Sequence, residues 1–198
     1  SMTVIDQHTG YVKALIGGRG EKTASLTLNR ATDTTRQPGS TFKILAAYSA
    51  ALDAGGLTLA SVQDDAPYTY AGANGKSVNN YDRRYRGFTT LREAITDSIN
   101  IVTVKTLAQA GVSLGWQYVQ EYGFTTVDSR DMNEALALGG ITQGVSNLEL
   151  TAAYAAIANQ GTYIKPKFYT KILDHDGNVL IDNTTPESHT VIKDTTAW

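Results

Sequence analysis

A mixed helix-and-strand domain of the α/β (α+β) class is what this sequence predicts, on two patterns. Two pairs of short strand-like runs fold back across glycine turns, and several long apolar runs are punctuated as helices. Length sets the scale: 198 residues with 41% hydrophobic content suffice for one sizeable core and fit a single domain.

Val4-Ile5-Asp6 and Tyr11 to Gly18, joined by Gln7-His8-Thr9-Gly10, predict a first hairpin. Ser1-Met2 precede it directly and are expected to be a remnant of cloning. Residues 19–37 are polar and punctuated, a long connection. A helix is then expected from about Pro38–Ser40, its start signals, to Ala54, with Gly55-Gly56 as the stop. Phe42, Ile44, Leu45, Ala46, Ala47, Tyr48, Ala50, Ala51 and Leu52 leave it almost no polar face, so it should be buried.

Residues 57–88 read as irregular, rich in Asn, Gly and Asp, with tyrosines at 68, 70, 81 and 85. Thr90-Leu91-Arg92-Glu93 is a capping box that opens a helix and leaves Ser98-Ile99-Asn100 just beyond its end. An apolar helix from about Ile101 to Ala110 stops at Gly111, and Ser113 is expected to cap a short helix ending near Tyr122-Gly123. Leu136 to Gly144 is glycine-rich, and Asn147 is expected to cap a helix from Leu148 to Asn159. Phe168–Leu173 and Asn178–Ile181 alternate around Asp176-Gly177, a second hairpin. From Thr184 onward the chain reads as a polar lead.

Composition removes several classes of function. Seventeen Lys and Arg against 19 Asp and Glu give a net charge of −2, with no basic surplus for nucleic acid. The absence of cysteine removes disulfides, thiolate metal sites and cysteine nucleophiles. No apolar run approaches the roughly 18 residues of a membrane span. His8, His175 and His189 fall in turns or the tail, so a metal site is not expected. Asp128, Asp131 and Glu134 read as solvated charges or caps.

Chemistry concentrates at Ser40 and Lys43. Helical positions i and i+3 share a face with Cβ atoms about 5–6 Å apart. A serine capping a helix before a surface lysine is the ordinary explanation of S-x-x-K, but here the lysine enters an apolar helix, where its proton is easier to lose. A hydroxyl beside a neutral amine is an activated nucleophile. Ser98 and Asn100, taken alone, are commonplace turn residues.

Together with Ser40 and Lys43 they form two parts of a known set: S-x-x-K followed about 55 residues on by S-x-N. The chain resembles the transpeptidase domain of class A penicillin-binding proteins over essentially its whole length. Asn29-Arg30-Ala31-Thr32 running into Arg36-Gln37-Pro38-Gly39-Ser40-Thr41-Phe42-Lys43 is similar to that family's approach to its nucleophile. So are the segments Asn80 to Asn100, Leu138-Gly139-Gly140 to Ser146, and Tyr154 to Gly161.

The resemblance implies helices packed on both sides of a mainly antiparallel sheet, the fold shared with serine β-lactamases. It implies Ser40 as acylated nucleophile, Lys43 as general base, Ser98 as proton relay, and Asn100 as the residue orienting the substrate amide. Peptidoglycan stem peptides and β-lactam antibiotics are the expected partners, at the extracytoplasmic face of a bacterial membrane reached through segments outside this chain. The family's third motif, Lys-Thr/Ser-Gly, is not found; Lys22-Thr23 and Lys105-Thr106 lack the glycine and the position. Residues 3–198 are therefore expected to be the N-terminal portion of the domain, with an incomplete sheet, an open edge prone to self-association, and little activity of its own. A non-catalytic β-lactam or peptidoglycan receptor is the alternative from another class. A serine β-lactamase is a further one, for which no glutamate here offers a deacylating base.

Overall fold

The computed structural model describes residues 1–71 and 75–198. Its α-helices, among the described residues, are α1 (Ser49–Asp53), α2 (Leu91–Thr96), α3 (Asn100–Ala110), α4 (Val112–Glu121), α5 (Asn147–Ala158) and α6 (Asp194–Ala197). The strands of the described residues form six two-stranded ladders, each antiparallel. The chain divides into two compact units, one of residues 1–36, 121–124 and 145–198, the other of residues 37–120 and 125–144.

In the first unit, Met2–Ile5 pairs with Val12–Ile16 as predicted, and Met2 itself stands opposite Ile16. Gly10, at φ 72°, supplies the left-handed step that closes the turn onto the carbonyl of Asp6. Helix α5 packs against the first of these strands. Its cap is Ser146 and not Asn147: the Ser146 hydroxyl accepts from the Glu149 N–H while the Glu149 carboxylate takes the Ser146 N–H.

The hairpin around Gly177 forms between Lys171–Leu173 and Val179–Asp182. The tail departs from expectation. Ser188–Thr190 pairs with Thr162–Ile164, Val191 and Ile192 are buried behind it, and α6 follows. Two apolar residues in a polar tail are too short a signal, and their partner strand lies about 25 positions away.

In the second unit the expected helix begins at the anticipated place but is not uniform. It opens as a 3-10 turn (Gly39–Phe42), widens to a π turn (Ile44–Tyr48) and closes as α1. Tyr48 lies in a core with Leu91, Ala94, Ile99 and Val102, and its hydroxyl meets Thr103 Oγ1 at 2.9 Å. The Thr90 capping box is present, with Glu93 as its reciprocal partner. Helix α4 starts at Val112, directly after Gly111 at φ 107°, instead of at a Ser113 cap.

Residues 57–88 are less irregular than expected. Val62–Asp65 pairs with Gly87–Thr90, and Tyr68–Thr69 with Ser77–Val78. Gln63, Asp64 and Asp65 carry no hydrophobic alternation, so nothing local announces that ladder.

Candidate active site

All four residues singled out in the sequence belong to the second unit. Ser40 lies exposed on the 3-10 turn, where its carbonyl accepts the Lys43 N–H. Its hydroxyl makes no hydrogen bond with a described residue, so it is not a cap. Thr41 instead spends its hydroxyl on the Pro38 carbonyl, 2.7 Å away.

Gly139, at φ 71°, rests directly on this turn: a Cβ there would stand 2.6 Å from both the nitrogen and the oxygen of Gly39. The glycine-rich segment read from the sequence thus has a function in packing, since only a hydrogen at 139 permits that approach.

Lys43 is 3% exposed. Its Nζ donates to the Ser98 carbonyl at 2.6 Å, to Ser98 Oγ at 2.8 Å and to Asn100 Oδ1 at 2.6 Å. Those three acceptors satisfy all the hydrogens of an ammonium. No hydrogen bond joins Nζ to Ser40 Oγ, so the direct contact expected from i, i+3 spacing is not made in this state. Burial pulls the lysine's pKa down to about 8, because the charged form has lost its water. A surface lysine is thereby excluded.

Ser98 reaches this position by an unusual route. Helix α2 ends at Thr96, α3 begins at Asn100, and Ser98 adopts φ 53° in the left-handed region, strained for a residue with a Cβ. That step turns both its carbonyl and its hydroxyl onto Nζ. Asn100 completes the set, with Nδ2 donating to the Asn79 carbonyl at 2.8 Å. Lys43, Ser98 and Asn100 are therefore one bonded cluster, and Ser40 lies on the turn that leads into Lys43.

The acidic residues nearby are buttresses. Asp131 is buried and not solvated: it accepts from the Thr142 N–H and hydroxyl and from the Asp128 N–H. Glu134, also buried, takes the Tyr68 hydroxyl and the Ala71 N–H at 2.8 Å each. Asp128 does cap, as expected. Of the four tyrosines between 68 and 85, Tyr68 and Tyr70 are half-buried while Tyr81 and Tyr85 are exposed. Among the described residues no group of three or more His, Cys, Asp or Glu could hold a metal ion.

A sequence profile described as the penicillin binding protein transpeptidase domain matches residues 1–198, the whole chain. The chain belongs to the penicillin-binding protein transpeptidase family. It is 40% identical over 198 residues to penicillin-binding protein 1F of Bacillus subtilis, covering 100% of this chain and 26% of that protein. It is 38% identical to penicillin-binding protein 1A of Clostridium tetani, covering 92% of this chain and 25% of that one.

Among solved structures, penicillin-binding protein 1A of Haemophilus influenzae superposes with a TM-score of 0.79 at 31% identity, over 95% of this chain and 27% of that one. PonA1 of Mycobacterium tuberculosis in complex with penicillin V gives 0.80 at 24% identity, over 98% of this chain and 52% of that one, a likeness of fold. The chain spans about a quarter of the length of these curated relatives.

Proposed function

We propose that Ser40 is the acylated nucleophile of a D,D-transpeptidase acting on peptidoglycan stem peptides, and that β-lactams acylate the same oxygen. The single observation that carries this reading is the buried Lys43 Nζ, bonded to Ser98 and Asn100 with its pKa drawn down to about 8.

The steps balance as follows. Neutral Lys43 takes the proton of the Ser40 hydroxyl as Oγ attacks the carbonyl of a terminal D-Ala-D-Ala bond. The backbone N–H of Ser40 belongs to a first helical turn, whose amides have no acceptor within the helix, and it faces the developing oxyanion. The C–N bond breaks, Ser98 Oγ relays the proton from Lys43 to the leaving nitrogen, and D-alanine departs. An ester on Ser40 remains. An amino group of a neighbouring strand then attacks the ester, forms the amide cross-link and returns the proton to Ser40. Asn100 Nδ2 has a second N–H beyond the one given to Asn79, and that hydrogen orients the substrate amide. The protein acts outside the bacterial cytoplasm, held at the membrane by segments other than those described.

Intact mass after incubation with a penicillin tests the reading, comparing the 198-residue chain with one extended past Trp198 by a strand bearing Lys-Thr-Gly. One added β-lactam on the extended chain, abolished by Ser40→Ala, is the expected result. No adduct on either chain would turn the reading towards a non-catalytic receptor. Rapid release of the adduct would instead indicate a β-lactamase.

A further inference from the structure

A carboxamide has nearly the same shape either way round, so the end of Asn100 that faces Lys43 must be chosen by its neighbours. The choice is made by the Asn79 carbonyl, which takes Nδ2 at 2.8 Å and leaves Oδ1 to accept from Nζ at 2.6 Å. Reversal would set the amide NH₂ against an ammonium and its oxygen against a carbonyl. The position of the Asn79 carbonyl therefore matters, and it is held from below.

Asn80, the next residue, is 4% exposed. Its Nδ2 donates across both oxygens of Asp65, at 2.7 and 3.0 Å, and to the Arg84 carbonyl at 2.8 Å. Its Oδ1 accepts the N–H of Ile101 at 3.2 Å, in the first turn of α3 next to Asn100. Asp65 has no exposed surface, and it also accepts the Arg86 N–H at 2.9 Å. The Arg86 guanidinium stands 3.8 Å from the same carboxylate, reaching Asp82 at 3.0 Å and Asp97, beside Ser98, at 3.9 Å. One buried carboxylate thus pins both ends of the 80–86 loop. Among the described residues, no charged side chain lies within ion-pair distance of Lys43 itself.

We propose that Asp65 and Asn80 are positioning residues: through the Asn79 carbonyl and the first turn of α3 they fix the Asn100 amide with its oxygen towards Lys43. The relevance to catalysis rests on the transpeptidase reading above, but the geometry can be tested without it.

The test is a titration of Lys43 by NMR in the 198-residue chain carrying ¹³Cε-labelled lysine, the resonance being assigned by its loss in Lys43→Met. Removing Asn80 frees the amide, so the ammonium loses an acceptor and Lys43 should titrate lower in Asn80→Ala, by about one pH unit. In an Asn100→Ala background the same change should produce no further shift.

Should Asn80→Ala fail to fold, Asp65→Asn takes its place in the same cycle, with a smaller shift in the same direction. An unmoved Lys43 titration in a folded variant overturns the proposal, as does a shift that persists without Asn100. Failure of Ser40 to acylate would overturn the enzyme reading and leave these outcomes to be judged separately.

Discussion

At the scale of single residues, the role proposed for Lys43 predicts a pH dependence. With the pKa at about 8, the neutral amine becomes abundant only as pH rises through that value. Below it, the acylation rate of Ser40 should fall about tenfold per pH unit, and above it the rate should level off; stopped-flow acylation by a chromogenic β-lactam across the range checks this. The sign for stability follows from the same depression. Between about 8 and the ordinary 10.5 the unfolded chain binds more protons, so this group's contribution raises stability with pH there.

Ser98 offers a second check at this scale. Its left-handed φ of 53° excludes β-branched side chains, so Ser98→Val should cost roughly 1–3 kcal/mol in chemical denaturation. Ser98→Asn should cost much less, asparagine tolerating that region. Ser40 and Lys43 were legible because they stand only three positions apart. Asp65 was not, since the second Asp of a polar Gln-Asp-Asp run gives no sign that its carboxylate, and not its neighbour's, will be buried under a loop 15 residues away.

At the scale of elements, termini decide where the functional groups stand. The Thr90 box was legible because both its partners lie within four residues, and the Ser146 box was misplaced by one because Ser146 and Asn147 are both good caps. Ser146→Ala should cost about 1 kcal/mol, read as a lowered midpoint in urea. Gly139 shows the opposite case. Its glycine-rich stretch was visible, but its purpose needs Gly39, about 100 residues upstream. Gly139→Ala should destabilise by roughly 2 kcal/mol and slow acylation by displacing the turn that carries Ser40. Calorimetry together with acylation kinetics separates the two effects. The ladder of Val62–Asp65 with Gly87–Thr90 escaped notice because pairing between such distant polar segments leaves no periodic trace.

At the scale of the whole molecule, six two-stranded ladders leave many strand edges unpaired among the described residues. Ile172, Leu173, Val179, Leu180 and Ile181 of one hairpin are all exposed. Such edges favour association, so light scattering of the 198-residue chain should give a mass that rises with concentration, reduced by Leu180→Lys. A mass that stays monomeric over the whole range would contradict this. The claim on which the function turns is that one oxygen of this chain becomes acylated. Trypsin should release residues 37–43 as a single peptide, cleaving after Arg36 and Lys43, and that peptide carries both Ser40 and Thr41. The direct measurement is fragmentation of this peptide after penicillin treatment of the protein. A penicilloyl group on Ser40 is the expected result; an adduct on Thr41, on another peptide or on none would contradict it.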